Sequence, residues 1–143
     1  MYTTVPAVLK LLPEYEALLL ADDNDAGDIA GADVVAVLEE AIEQADREID
    51  AYAGTVRAVP LDPVPALIEN ISAKLAIHNL YLRRPGVSEP DTWQRETTRC
   101  QRLLEAIAKG TIALGAETGT TAEAKTSSPN WSAPGRVMDG MGL

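Results

Sequence analysis

The 143-residue chain has no phenylalanine, two tryptophans and four tyrosines. So few rings cannot line a large aromatic ligand pocket; Ala, Leu, Ile and Val supply most apolar side chains, which favours helices packed through aliphatic contacts. Cys100 is the only cysteine, which excludes an internal disulfide or a cysteine metal cluster and fits a reducing compartment. His78 is the only histidine. No apolar run approaches the ~20 residues of a membrane helix. The opening MYTTVPAVLKLLPEYEALLL contains Pro6, Pro13, Glu14 and Glu16 and lacks a basic leader segment before an unbroken apolar stretch, so a signal peptide is not expected. No repeat of solenoid period is present.

Positive charge is scarce where negative charge is dense. The net charge is −10, and residues 1–60 hold thirteen acids against three bases, whereas residues 61–143 hold nine of each. An acidic surface repels phosphate, which argues against reading DNA or RNA sequence. It remains compatible with a surface past which DNA slides without sticking.

What is present reads as helix. Thr4 caps a short helix to Leu12, with Pro6 tolerated in its first turn. Pro13 interrupts, and Glu14–Leu20 has room for a further turn or two. Asp22–Asp28 is a loop by composition. From Asp33 to Tyr52, Val34, Leu38, Ala41, Ile42, Ala45, Ile49 and Tyr52 recur at three and four and form one apolar stripe. Asp33 is the expected cap and Gly54 the expected left-handed terminator. Glu39, Glu40, Glu43, Asp46 and Glu48 are expected on the solvated face. Pro60, Pro63 and Pro65 forbid helix between Thr55 and Pro65. The next helix runs from about Pro65 to Arg84. Its apolar residues fall on more than one face, as in a central helix buried on several sides. Ser88, with Asp91 three residues on, opens the third long helix in a capping-box pattern. Trp93, Cys100, Leu103, Leu104 and Ile107 form its stripe, Gly110 closes it, and Thr111–Leu114 has room for a brief extended piece.

The fold class expected is mainly α: a small helical bundle of three long helices plus a short N-terminal helix over residues 1–115. An extended C-terminal tail follows at 116–143. The tail is dominated by Thr, Ala, Ser, Gly and Pro, a composition that cannot offset its own ordering entropy. Trp131, Val137, Met138, Met141 and Leu143 punctuate it as candidate anchors for a partner's groove.

Four features are candidate sites. His78 would need a nucleophile and an orienting carboxylate to act as a base, and no hydrolase or phosphate-loop motif accompanies it. A core-edge histidine bonded to backbone is the favoured reading. The acidic loop matches a calcium loop at Asp22, Asn24, Asp28 and Asp33 when Gly27 takes the central glycine's place. Ala26 then falls where an oxygen ligand belongs and Asp33 replaces the long bidentate Glu, so an exposed Asx-rich turn fits better. Cys100 reads as a small buried hydrophobe, since Arg99 and Arg102 point elsewhere on the helix. Arg83, Arg84, Arg95, Arg99 and Arg102 form a basic group, either plain solvated surface or an inter-subunit contact with the acidic first half of a neighbour.

Several segments carry a resemblance in order along nearly the whole chain. They are Met1–Thr4, the Asp/Gly loop, Ala45–Tyr52, Val59–Leu61, Val64–Ile68, Ala76–Arg84, Leu103–Gly110 and Ser132–Val137. Together they resemble the small neck proteins of Mu-like phages and prophages. The resemblance implies a head–tail connector: a structural virion protein of the neck, assembled in the host cytoplasm, with neither catalytic residue nor cofactor nor metal. It implies a homo-oligomeric ring, commonly of twelve copies, between portal protein and a tail or stopper/terminator protein. DNA would pass through its channel without sequence-specific binding, and no membrane is involved. The chain departs from the family at Met138–Leu143, where the family's tail continues to an aromatic-containing basic end. A cytoplasmic helical adaptor is the alternative. A small hydrolase built on His78 and the acidic loop is a third reading.

Overall fold

The computed structural model describes residues 1–114, and these form five helices. They are α1 (Val5–Leu11), α2 (Glu14–Ala21), α3 (Ala32–Ala53), α4 (Ala66–Leu82) and α5 (Asp91–Ala108). The helical bundle expected from the periodicity is present, and no strand occurs among the described residues. Thr111–Leu114 accordingly forms no strand. Residues 116–143, with Trp131, Val137, Met138, Met141 and Leu143, lie outside the described residues.

Thr4 caps α1: its hydroxyl accepts the Ala7 amide at 3.2 Å, and Pro6 occupies the first turn. The starts of α3 and α5 differ from expectation. Gly31, not Asp33, is the N-cap of α3; Asp33 sits in the first turn, where its charge complements the helix dipole. The Ser88–Asp91 capping box does not form. Pro90 occupies the N-cap of α5, and its ring steers the residue before it to extended backbone, so the helix begins at Asp91. Gly110 meets expectation with φ +77°, and the amides of Gly110 and Thr111 return to Ile107 and Ala106, which closes α5 in a Schellman arrangement. Gly54 does not: its φ is −63°, and what it needs is space, since a β-carbon there would stand 2.7 Å from the Asp50 carbonyl oxygen.

α4 is the centre. Ile68, Ile71, Leu75, Ala76, Ile77 and Leu80 are each 0–1% exposed, and they point in several directions around the helix. α3 packs along one side of it and α5 along another, while α1 and α2 close the remaining faces. α3 contributes Val34, Leu38, Ala41, Ile42, Ala45, Ile49 and Ala53 to the core. α5 contributes Thr97, Cys100, Leu104 and Ile107, whereas Trp93 and Leu103 are only half-buried at the edge of its stripe. The Val59–Pro60 and Asp62–Pro63 peptide bonds in the α3–α4 connection are cis. No helix is long and apolar enough to cross a membrane among the described residues.

Candidate assembly surfaces

The five arginines of the basic group separate into two sets. Arg83 and Arg84, at the C-terminal end of α4, bind their own chain's acidic loop. Arg83 grips Asp23 with both terminal nitrogens, at 2.8 and 3.1 Å, and Arg84 reaches the same carboxylate at 2.5 Å. Both also donate to the Leu20 carbonyl at the end of α2, at 2.7 and 3.3 Å. Arg83's hydrogen bond is the main cause that holds the Asp23 carboxyl below the usual carboxylate range. The pair therefore caps α2 and ties the loop to α4. Sequence reasoning missed Asp23 because the two partners are 60 residues apart.

Arg95, Arg99 and Arg102 behave differently. They recur at i, i+4 and i+7 on the outer face of α5, all exposed, and line one open groove with Asp91 and Thr98. Among the described residues the only ion pair in this row is Arg99 to Glu96, at 3.9 Å. Glu96 is held more closely by Lys74 of α4 at 2.6 Å, and that contact keeps its carboxyl below the usual range.

The outer face of α3 has the opposite sign. Asp33, Glu39, Glu40 and Glu43 are exposed on it. Glu40 accepts a hydrogen bond from Gln44 at 3.3 Å, and Glu43 meets Arg47 at a loose 3.9 Å. Asp46, expected on this solvated face, is instead turned toward the body. Its carboxylate accepts the Tyr2 amide at 3.0 Å and the Ser72 hydroxyl at 2.7 Å. The Tyr2 hydroxyl donates to Asp50 and accepts the Leu61 amide at 2.9 Å. Burial, then the hydrogen bond to Asp50, pushes the Tyr2 hydroxyl up to about 12. One tyrosine thus fastens the N-terminus, α3 and the proline-rich connection together. The signal for Asp46 was available: it stands four residues after Ile42 and three before Ile49, both buried, so it borders the stripe.

The other candidates resolve into local structure. His78 is half-buried, and its Nδ1 lies 2.9 and 3.0 Å from the two oxygens of Glu89. Its partner is a carboxylate, not the backbone expected. One turn on, the Tyr81 hydroxyl donates to Glu16 of α2 at 3.0 Å, and burial followed by that bond pushes Tyr81 up to about 12. Cys100 is fully buried and its thiol is pushed up by burial, which suits a packing role better than a reactive one. In the loop, Asp22 accepts the Gly27 amide at 2.7 Å, Asp28 the Ala30 amide at 3.0 Å and Asp33 the Asn24 amide at 2.8 Å. The Asp28–Ala30 bond is an Asx turn, and in all three the side chains bond within the loop and its junction with α3. Among the described residues no three metal-binding side chains are grouped to hold an ion.

A second groove, of about 360 Å³, lies between α1 and the start of α4. Ala7, Leu11, Ala66 and Ala73 form its apolar walls, and Lys10 and Glu69 stand at its margin. Thr3 also lines it, and the Thr3 hydroxyl is buried without a hydrogen-bond partner.

Two comparisons bear on this arrangement. The family model for Bacteriophage Mu, Gp36 matches residues 2–132. The Mu-like prophage FluMu protein gp36 of Haemophilus influenzae is 34% identical over 80 residues, covering 56% of this chain and 54% of that protein. The chain thus spans about half the length of the curated relative it matches.

Proposed function

The chain belongs to the Bacteriophage Mu, Gp36 family, and on that premise we propose that it is a structural subunit of the virion neck, a head–tail connector. Membership makes it a bacteriophage protein. The finer role rests on one observation above the others. The family match runs through the whole helical body and onward to residue 132, and the resemblance to small neck proteins follows the same course. In the proposed role, copies form a ring between portal and tail and extend the DNA channel. The portal protein and a tail or stopper protein are its neighbours, and DNA passes without sequence-specific contact.

Two physical features support this. The body presents one acidic and one basic helix face, and a closed ring needs two unlike patches on each subunit. Cys100 is packed in the core, and among the described residues no nucleophile is bonded to the His78–Glu89 pair. No catalytic role is assigned.

The test is a phage or prophage lacking this gene product. A connector role predicts filled heads and complete tails that fail to join, restored by supplying the protein in trans. Normal joined particles, with the protein absent from purified virions, would reject the role in favour of a cytoplasmic adaptor.

A further inference from the structure

We propose that the arginine row of α5 seats on the acidic outer face of α3 in a second copy of this chain. The proposal rests on the connector reading and names the contact by which copies would meet.

Three observations carry it. First, Arg95 and Arg102 are seven residues apart on one helix face, about 10 Å of rise. Asp33 and Glu40 on α3 are separated by the same seven residues. Glu43 lies one turn beyond Glu40, as Arg99 lies one turn from Arg95. Glu40 and Glu43 have the same three-residue spacing as Arg99 and Arg102, so two members of each row can meet in one register with opposite signs. Second, neither row is consumed by close ion pairs within the chain; Asp33 and Glu40 accept only neutral amide hydrogen bonds, from Asn24 and Gln44. Among the described residues Arg95 and Arg102 have no ion-pair partner, and the pairs that Arg99 and Glu43 make are at 3.9 Å. Arg83 shows what a satisfied arginine looks like in this fold: bidentate, short and also bonded to backbone. Third, the chain carries a net charge of −10, so most ways of bringing two copies together set like charges against one another. The α5 row is the place where three cations lie together on an exposed face, and opposite it an acidic row becomes an attraction. Both rows point outward from helices that share one core, so they meet between copies and not within one.

The partner is therefore a second copy, and the contact is head-to-tail, the kind that closes into a ring. Such a contact weakens as salt screens it.

The full chain tests it through paired charge reversal, with association read by sedimentation velocity at low salt and folding checked by circular dichroism. The variant R95E/R99E/R102E should associate with itself at least about tenfold more weakly than the native chain, and so should E40K/E43K. Mixing the two should restore association, because each reversed row then faces a row of the opposite sign. If either folded variant associates as the native chain does, the proposal falls. It falls equally if the mixture shows no recovery, or if the native chain stays monomeric throughout. If reversing the arginines lowers retention on duplex DNA and leaves self-association intact, the row serves nucleic acid and the proposal is overturned. Recovery in the mixture by a protein absent from virions would instead sink the connector role and leave this contact standing.

Discussion

α4 and α5 are nearly equal in length, 17 and 18 residues, and differ in almost everything else. α4 buries nine residues pointing in several directions. α5 buries four along a single stripe and turns arginines outward. The difference assigns them separate tasks. α4 is the post around which the body is built, and what it offers outward at its end, Arg83 and Arg84, is spent on its own loop. α5 is attached by one side, and its other side is free for something else. The same residue type thus serves architecture on one helix and remains available on the next.

Truncating the core should show the contrast at its largest. Leu75→Ala and Ile77→Ala remove fully buried side chains from different sides of α4, and each should cost about 2–5 kcal/mol in denaturant unfolding. Alanine at Arg99, outward on α5, should stay within about 0.5 kcal/mol of the native chain. Equal losses at Arg99 and Ile77 would erase the distinction.

Buried hydroxyls give a second contrast of opposite sign. Ser72 of α4 is fully buried and bonded to Asp46, so Ser72→Ala should destabilise by about 1–3 kcal/mol. Thr97 of α5 is buried with no partner for its hydroxyl, so Thr97→Val should be neutral or stabilising by about 1 kcal/mol on thermal unfolding.

A further effect concerns base. Tyr2 and Tyr81, the latter on α4, are both pushed up to about 12 from a usual value of 10.0. A raised value means that the folded chain favours the protonated phenol. The resulting stability is full below pH ~10 and is lost as pH climbs through ~12. Unfolding midpoints should therefore drop across that window. Phenylalanine at position 81 should shallow the drop, measured by circular dichroism at stepped pH.

Much of this body was legible from spacing alone. The α3 stripe, the all-round burial of α4, the Thr4 cap and the Gly110 terminator follow from local rules that one segment obeys by itself. What escaped was decided across the chain. Asp46 looks like a solvated acid until Tyr2, more than forty residues away, arrives beside it. Arg83, Arg84 and Asp23 are a basic pair and a loop acid until folding joins them. His78 gains Glu89 only because Pro90 delays the start of α5 and leaves Glu89 in the connection. The α3 cap shifted to Gly31 for a related reason: Asp33 has a loop partner in Asn24 and serves inside the first turn. The Arg95–Arg102 row stands out among the basic residues of the sequence, but its separation from Arg83 and Arg84 emerges only with the fold.

The most direct measurement is a cryo-EM reconstruction of the phage neck. The expected result is a ring of five-helix bodies between portal and tail, with α5 of each copy against α3 of the next and Arg99 within reach of Glu40 or Glu43. A neck in which this body is absent, or in which neighbouring copies meet through other faces, would contradict it.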